Sequence, residues 1–135
     1  MKRLSLALLG MLCTVASPWA NAYCINPGDV SFVPTPVVAN QAASVRLRMF
    51  AGVWFQSTAS ASVTGSTINV FAENGANAGI LAPESAISIP MGSLAPGNYS
   101  VVIATRDYGQ SGGTAFVDCP TITVPLVVAD RKSVV

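Results

Sequence analysis

With 135 residues, of which 51% are hydrophobic and only 10% charged, a formal net charge of +1 and no histidine, this chain excludes several functions at once. So few charges, against the ~25% of an ordinary soluble domain, leave no basic footprint for nucleic acid. The missing histidine removes Ser-His-Asp and Cys-His catalysis and the commonest zinc arrangements, and no cofactor motif takes their place.

The chain opens with a basic pair (Lys2, Arg3), an apolar run from Leu4 to Leu12, and the small-residue site Ala20-Asn21-Ala22. In that order these features predict a cleaved secretory signal peptide, Met1 to Ala22, with the mature chain starting at Tyr23. Even stretched to Ala16 the apolar run is about 13 residues, short of the ~20 a membrane-spanning helix needs. Cys13 follows Leu12 and Cys24 follows Tyr23, so neither cysteine has the small neighbour of a lipid-modified N-terminus. The expectation is export to the periplasm or beyond, with no membrane insertion after cleavage.

Processing changes the arithmetic. Removing Lys2 and Arg3 from seven basic residues leaves five against six acids, so +1 becomes −1. Three cysteines become two, Cys24 and Cys119, and in an oxidising compartment such a pair is expected as a disulfide. It closes a loop of roughly 95 residues, which the chain-entropy model values at about 4–5 kcal/mol. The remaining ~113 residues suit one domain, expected over 23–129 with a short tail at 130–135.

Along this mature chain apolar residues recur with period two, the signature of strands with one face wet. A short strand is expected around Ser31 to Val33. Val45, Leu47 and Met49 then alternate with Ser44, Arg46 and Arg48. Ala61 and Val63, then Ile68 and Val70, flank Gly65-Ser66 as a hairpin. The polar stretch Glu73 to Gly79 is expected as a connection. Ile87, Ile89 and Met91 follow, with Pro90 placing that strand at an edge or at its own end.

Leu94 to Tyr99 has the Pro and Gly spacing of a turn, and the strand after it is apolar on both faces, which suits a central position. Asp107 to Gly113 is expected as a loop. Beyond it come Val117 to Cys119 and Ile122 to Val128, separated by Pro120, where a bulge or strand switch is expected. About seven strands and no helix predict an all-β, antiparallel sandwich, favoured over a closed barrel.

Leu94-x-Pro96-Gly97-x-Tyr99-x-Val101 resembles the turn and strand entry of many immunoglobulin-like and fibronectin type III-like domains. Phe32-x-Pro34, leading through Asn40-Gln41 to Val45-x-Leu47, looks like the first two strands of such domains in exported bacterial proteins. The resemblance implies an immunoglobulin-like β-sandwich with Leu94, Gly97 and Tyr99 forming a tyrosine corner. Two departures set the chain apart from antibody domains. The cysteines sit at the first and last strands, and Trp54 precedes the third strand.

Asp29, Glu73, Glu84, Asp107, Asp118 and Asp130 are scattered, with no dyad spacing along one strand face, and no catalytic site is expected. Gly109-x-x-Gly112-Gly113 precedes a strand and suits a hairpin tip better than a phosphate cradle. Arg46 and Arg48 are read as the solvated face of their strand. The positive feature is Phe50-Ala51-Gly52-Val53-Trp54-Phe55, three aromatics in six residues. In a sandwich its loop and the Asp107 loop emerge at one end, so Trp54, Phe55 and Tyr108 form the candidate patch for a protein or carbohydrate partner; the competing reading has Phe50 and Trp54 plugging the core. The expected function is an exported, non-catalytic binding module. The alternative is a fimbrial or matrix-like structural subunit, with an enzyme inhibitor or enzyme behind it.

Overall fold

A computed structural model describes residues 24–49, 53–75, 85–109 and 115–133. The predicted signal peptide, Phe50, Glu84 and the tip of the Asp107 to Gly113 loop lie outside those residues. The described chain contains ten strands: β1 (Val30–Val33), β2 (Val37–Val38), β3 (Ala42–Met49), β4 (Val53–Trp54), β5 (Ser60–Thr64), β6 (Thr67–Gly75), β7 (Ser85–Ser93), β8 (Gly97–Asp107), β9 (Val117–Asp118) and β10 (Ile122–Ala129). Its helical pieces are 3-10 turns at Pro27–Asp29, Gln56–Thr58 and Arg131–Ser133. No helix among the described residues is long and apolar enough to cross a membrane.

The strands form two sheets. One is three-stranded, in the order β1-β3-β7; the other runs β2-β10-β8-β6-β4, with β5 also on β6 and β9 also on β8. Alternation sends one side of each strand inward. Val45 and Leu47 from β3, Ile89 from β7, Ile68 from β6 and Val101 and Ile103 from β8 are at most 1% exposed, and they belong to one apolar cluster shared by both sheets. The fold is therefore all-β with two sheets around a common core.

Two features depart from the expected antiparallel pattern of about seven strands. The pairs β2–β10 and β6–β8 are parallel. The direction of the β6–β8 pair follows from the path of the chain: it leaves the larger sheet after β6, runs back along β3 as β7, and returns as β8 with the same sense as β6. Two extra short strands, β2 and β4, arise where two-residue segments find partners on β10 and β6. Such segments are too short to show a period in sequence. β6 likewise continues through Glu73, Asn74 and Gly75, read above as a connection, because β8 and β4 supply their ladder partners.

Prolines mark irregular places. Pro90 lies in β7, an outer strand of its sheet. Across Pro120, which has no N–H to give, the pairing on β8 slips by one residue, from Asp118 opposite Arg106 to Ile122 opposite Ile103. Cys24 and Cys119 are joined, with an Sγ–Sγ distance of 2.05 Å across 95 residues of sequence. The bond ties the segment before β1 to the end of β9. Ile25, next to Cys24, is buried in the core cluster.

Candidate functional site

The inner residues of β6 and β8 build the core; the outer ones build a surface. The parallel register sets Phe71 beside Ala104 and Glu73 beside Arg106 on the outer face. On the far side of β8, Asp118 of β9 pairs with Arg106. On the far side of β6, the Phe55 N–H donates to the Glu73 carbonyl at 2.8 Å, which carries Phe55 past the end of β4 onto the same face. Tyr108 follows β8, and its N–H donates to the Asn74 carbonyl at 2.9 Å.

The side chains interlock. The Arg106 guanidinium carbon lies 4.3 Å from the centre of the Phe116 ring and 5.4 Å from that of Phe71, within cation–π range of both. Its Nε donates to Asp118 Oδ1 at 2.9 Å, and a terminal nitrogen lies 3.8 Å from Glu73 Oε2. The Tyr108 hydroxyl donates to the same Glu73 oxygen at 2.8 Å. The Tyr108 ring meets Phe55 at 5.9 Å and Phe116 at 5.5 Å between centroids, both tilted. The Arg106–Asp118 pair is solvent-exposed, and pairs of that kind contribute only about 0–1 kcal/mol, so it holds a shape more than it stabilises the fold.

Gly75 belongs to this surface through what it lacks. A Cβ there would lie 2.8 Å from Phe55 Cζ and 3.4 Å from Tyr108 Cβ, so only glycine lets the Phe55 ring lie over β6. Glu73 is 7% exposed although it faces outward, because the surrounding side chains cover it. The bond to its carboxylate raises the Tyr108 pKa above the ordinary phenol value, with burial and the negative charge of Glu73 adding to the effect. Chemically the face offers ring surfaces, a guanidinium within cation–π range of two of them, and carboxylates paired with it and with the Tyr108 hydroxyl.

Of the three residues proposed from sequence for the patch, the structure brings Phe55 and Tyr108 together and takes Trp54 away. Trp54 pairs with Asn74, points inward and is 6% exposed. Period two explains the correction, since adjacent residues of an extended chain face opposite sides and Trp54 and Phe55 cannot share one face. The corner residues are adjacent at the entry to β8. Leu94 is buried at 3% exposure, Gly97 takes φ +146°, and the Tyr99 hydroxyl donates to the Ala95 carbonyl at 2.8 Å. Arg46 and Arg48 are exposed on the outer face of the three-stranded sheet.

Sequence reasoning missed Phe71, Glu73, Arg106, Phe116 and Asp118. Only Phe71 left a signal: between inward Val70 and Ala72 it falls on the wet side, where an aromatic is unusual. Elsewhere an open groove of about 370 Å³ is lined by Phe32, Pro34, Pro36, Pro125 and Val127 among others and carries no charged side chain. Among the described residues no group of three or more His, Cys, Asp or Glu could hold a metal ion. In comparisons with known proteins, no family model, no curated protein and no solved structure matches the chain.

Proposed function

We propose that this protein is an exported, non-catalytic binding module whose recognition surface is the outer face of the larger sheet, built by Phe55, Phe71, Glu73, Arg106, Tyr108, Phe116 and Asp118. One observation carries the reading. Four aromatic rings from separate segments gather on a solvent-side face around an arginine paired with two carboxylates, while elsewhere the same face carries Ser60, Ser62, Asn69 and Thr123 beside the aliphatic Val102 and Val127, with no further ring or charge cluster among these residues. Clustered aromatics and arginine are what binding hot spots are made of. The partner is a protein or a carbohydrate, and no cofactor is required.

The formed disulfide fits an oxidising compartment and supports the export implied by the leader signature. An immunoglobulin-like kinship is part of this proposal. It is supported by the Tyr99–Ala95 bond at the β7–β8 corner and by two sheets around a common core; the parallel β2–β10 and β6–β8 pairs depart from its antiparallel sheets. Pro90 in β7 and Pro125 in β10 leave those strands short of a backbone donor, which disfavours strand addition and with it the structural-subunit alternative.

Affinity capture tests the function. Oxidised protein and its Tyr108→Ala/Phe116→Ala variant are immobilised and offered separate polysaccharide and protein fractions from the source cell envelope and secreted material. The expected result is a component retained by the wild type and lost by the variant. Equal retention by both, or none by either, overturns the proposal.

A further inference from the structure

We infer that the Cys24–Cys119 disulfide completes the recognition face, so that oxidation fixes its Phe116–Asp118 flank in place and reduction releases that flank while the two sheets stay folded. The inference rests on the reading of that face as the binding surface, and it concerns its regulation.

The face has two unequal halves. Phe71, Glu73 and Arg106 stand on β6 and β8, strands of nine and eleven residues paired to one another over eight positions. Phe116 and Asp118 depend instead on β9, which is two residues long and meets β8 at two positions only. Burial does little to hold that flank, since Phe116 is 44% exposed and the Asp118 side chain 67% exposed. Nor does the neighbouring strand extend to it. Pro120 donates no hydrogen bond, and the register on β8 slips before β10 begins.

The attachments that remain converge on Cys119. Its N–H donates to the Thr105 carbonyl at 3.0 Å, it is 7% exposed, and its sulfur is bonded to Cys24, whose neighbour Ile25 is set in the core. The covalent link therefore ties a weakly paired flank to a segment anchored elsewhere. Asp118, the Arg106 partner, is directly adjacent to the bonded cysteine. Without the bond, the flank is left with two ladder positions, the Cys119–Thr105 backbone bond and the exposed contacts of Asp118 and Phe116 with Arg106 and Tyr108, and short segments held this way belong to the low-stability end of a fold.

The chemistry is thiol–disulfide exchange with an exogenous disulfide. One cysteine thiolate attacks the donor and expels one of its sulfurs as a thiolate; the second cysteine then attacks the mixed bond and expels the other. The Cys24–Cys119 bond forms, the donor is reduced by two electrons, and the two cysteine protons pass to the released thiolates or to solvent. In a reducing compartment the chain thus carries Phe55, Phe71, Arg106 and Tyr108 without their β9 flank. The face is completed only where such an oxidant is met.

Amide hydrogen exchange on the oxidised protein, the dithiothreitol-reduced protein and the Cys24→Ser/Cys119→Ser variant tests this with no ligand, so the result stands whether or not a partner is found. On loss of the bond, exchange at Val117 to Cys119 should rise to nearly the unprotected rate, while Ile68, Val70 and Ile103 stay protected, their exchange rising by no more than the roughly thousandfold that the loop-closure contribution of the bond to global stability allows. The Tyr108–Phe116 ring contact should disappear from the nuclear Overhauser spectrum. Retained protection of Val117 to Cys119 in the reduced protein overturns the inference, and so does simultaneous loss of protection across β6 and β8, which makes the bond a staple of the whole fold. Oxidised Phe116→Ala should keep the Cys119 amide protected; release as large as that on reduction assigns the restraint to ring packing and overturns the inference as well.

Discussion

Trp54→Ala separates core from surface at the most conspicuous aromatic of the sequence. Trp54 is 6% exposed and belongs to the apolar cluster shared by the two sheets. A buried tryptophan hides about 150–250 Å², which at about 25 cal/mol per Å² is roughly 4–6 kcal/mol of transfer free energy. Allowing for the retained Cβ and partial collapse of the site, truncation should cost about 3–5 kcal/mol. For a domain of this size that lowers the Tm by roughly 12–20 °C. Trp54→Phe should behave differently. The Trp54 Nε1 is buried with no hydrogen-bond partner among the described residues, so phenylalanine loses some volume but also sheds an unpaired donor worth about 1–3 kcal/mol. Its net cost should stay under about 1.5 kcal/mol. Thermal unfolding of the oxidised protein, followed by circular dichroism, measures both. The sequence holds two tryptophans, Trp19 and Trp54; in protein produced from Tyr23 onward only Trp54 remains, and its fluorescence should be blue-shifted and move red on unfolding. A Tm within about 3 °C of wild type for Trp54→Ala, or red-shifted native emission, refutes the core placement.

Gly75→Ala should displace the Phe55 ring, given the 2.8 Å approach of the added Cβ. Because alanine suits a strand better than glycine by about 0.5–1 kcal/mol and the lost ring contact is worth a similar amount, stability should change by less than about 1 kcal/mol while the Phe55–Tyr108 contact is lost from the nuclear Overhauser spectrum. Tyr108 should titrate above an ordinary phenol, and Glu73→Gln should bring that titration down, read by ultraviolet phenolate absorbance. The folded state raises this pKa, so the stability linked to the Tyr108–Glu73 bond is fully present below the ordinary phenol value and lost as pH climbs through the raised one; denaturation midpoints across that alkaline window check the sign. Tyr99→Phe removes the bond to the Ala95 carbonyl and should cost about 0.5–1.5 kcal/mol, measured by urea unfolding.

Much of the fold was legible in one dimension because strand alternation is a local property. Val45 and Leu47 against Arg46 and Arg48, or Ile68 and Val70 against Asn69, announce which side of each strand is dry, and burial follows that alternation. The turn at Leu94 to Tyr99 and the hairpin at Gly65-Ser66 were legible for the same reason, since their geometry depends on residues within a few positions. The pairing of Cys24 with Cys119 followed from a count of the cysteines after Ala22.

What composes the candidate face was settled between strands, where sequence carries little information. Arg106 and Asp118 are twelve positions apart and Tyr108 and Glu73 thirty-five; no local pattern links either pair. The parallel β6–β8 register, itself a consequence of β7 crossing to the other sheet, places Glu73 beside Arg106. Trp54 shows the same division from the other side: a strong aromatic signal identified the right segment, but only pairing with Asn74 decided which of two adjacent rings faces water. Alternation by itself determined that each strand has two unlike faces, whereas the strands that lie next to one another, and so the side chains that meet on the face, were decided by tertiary packing.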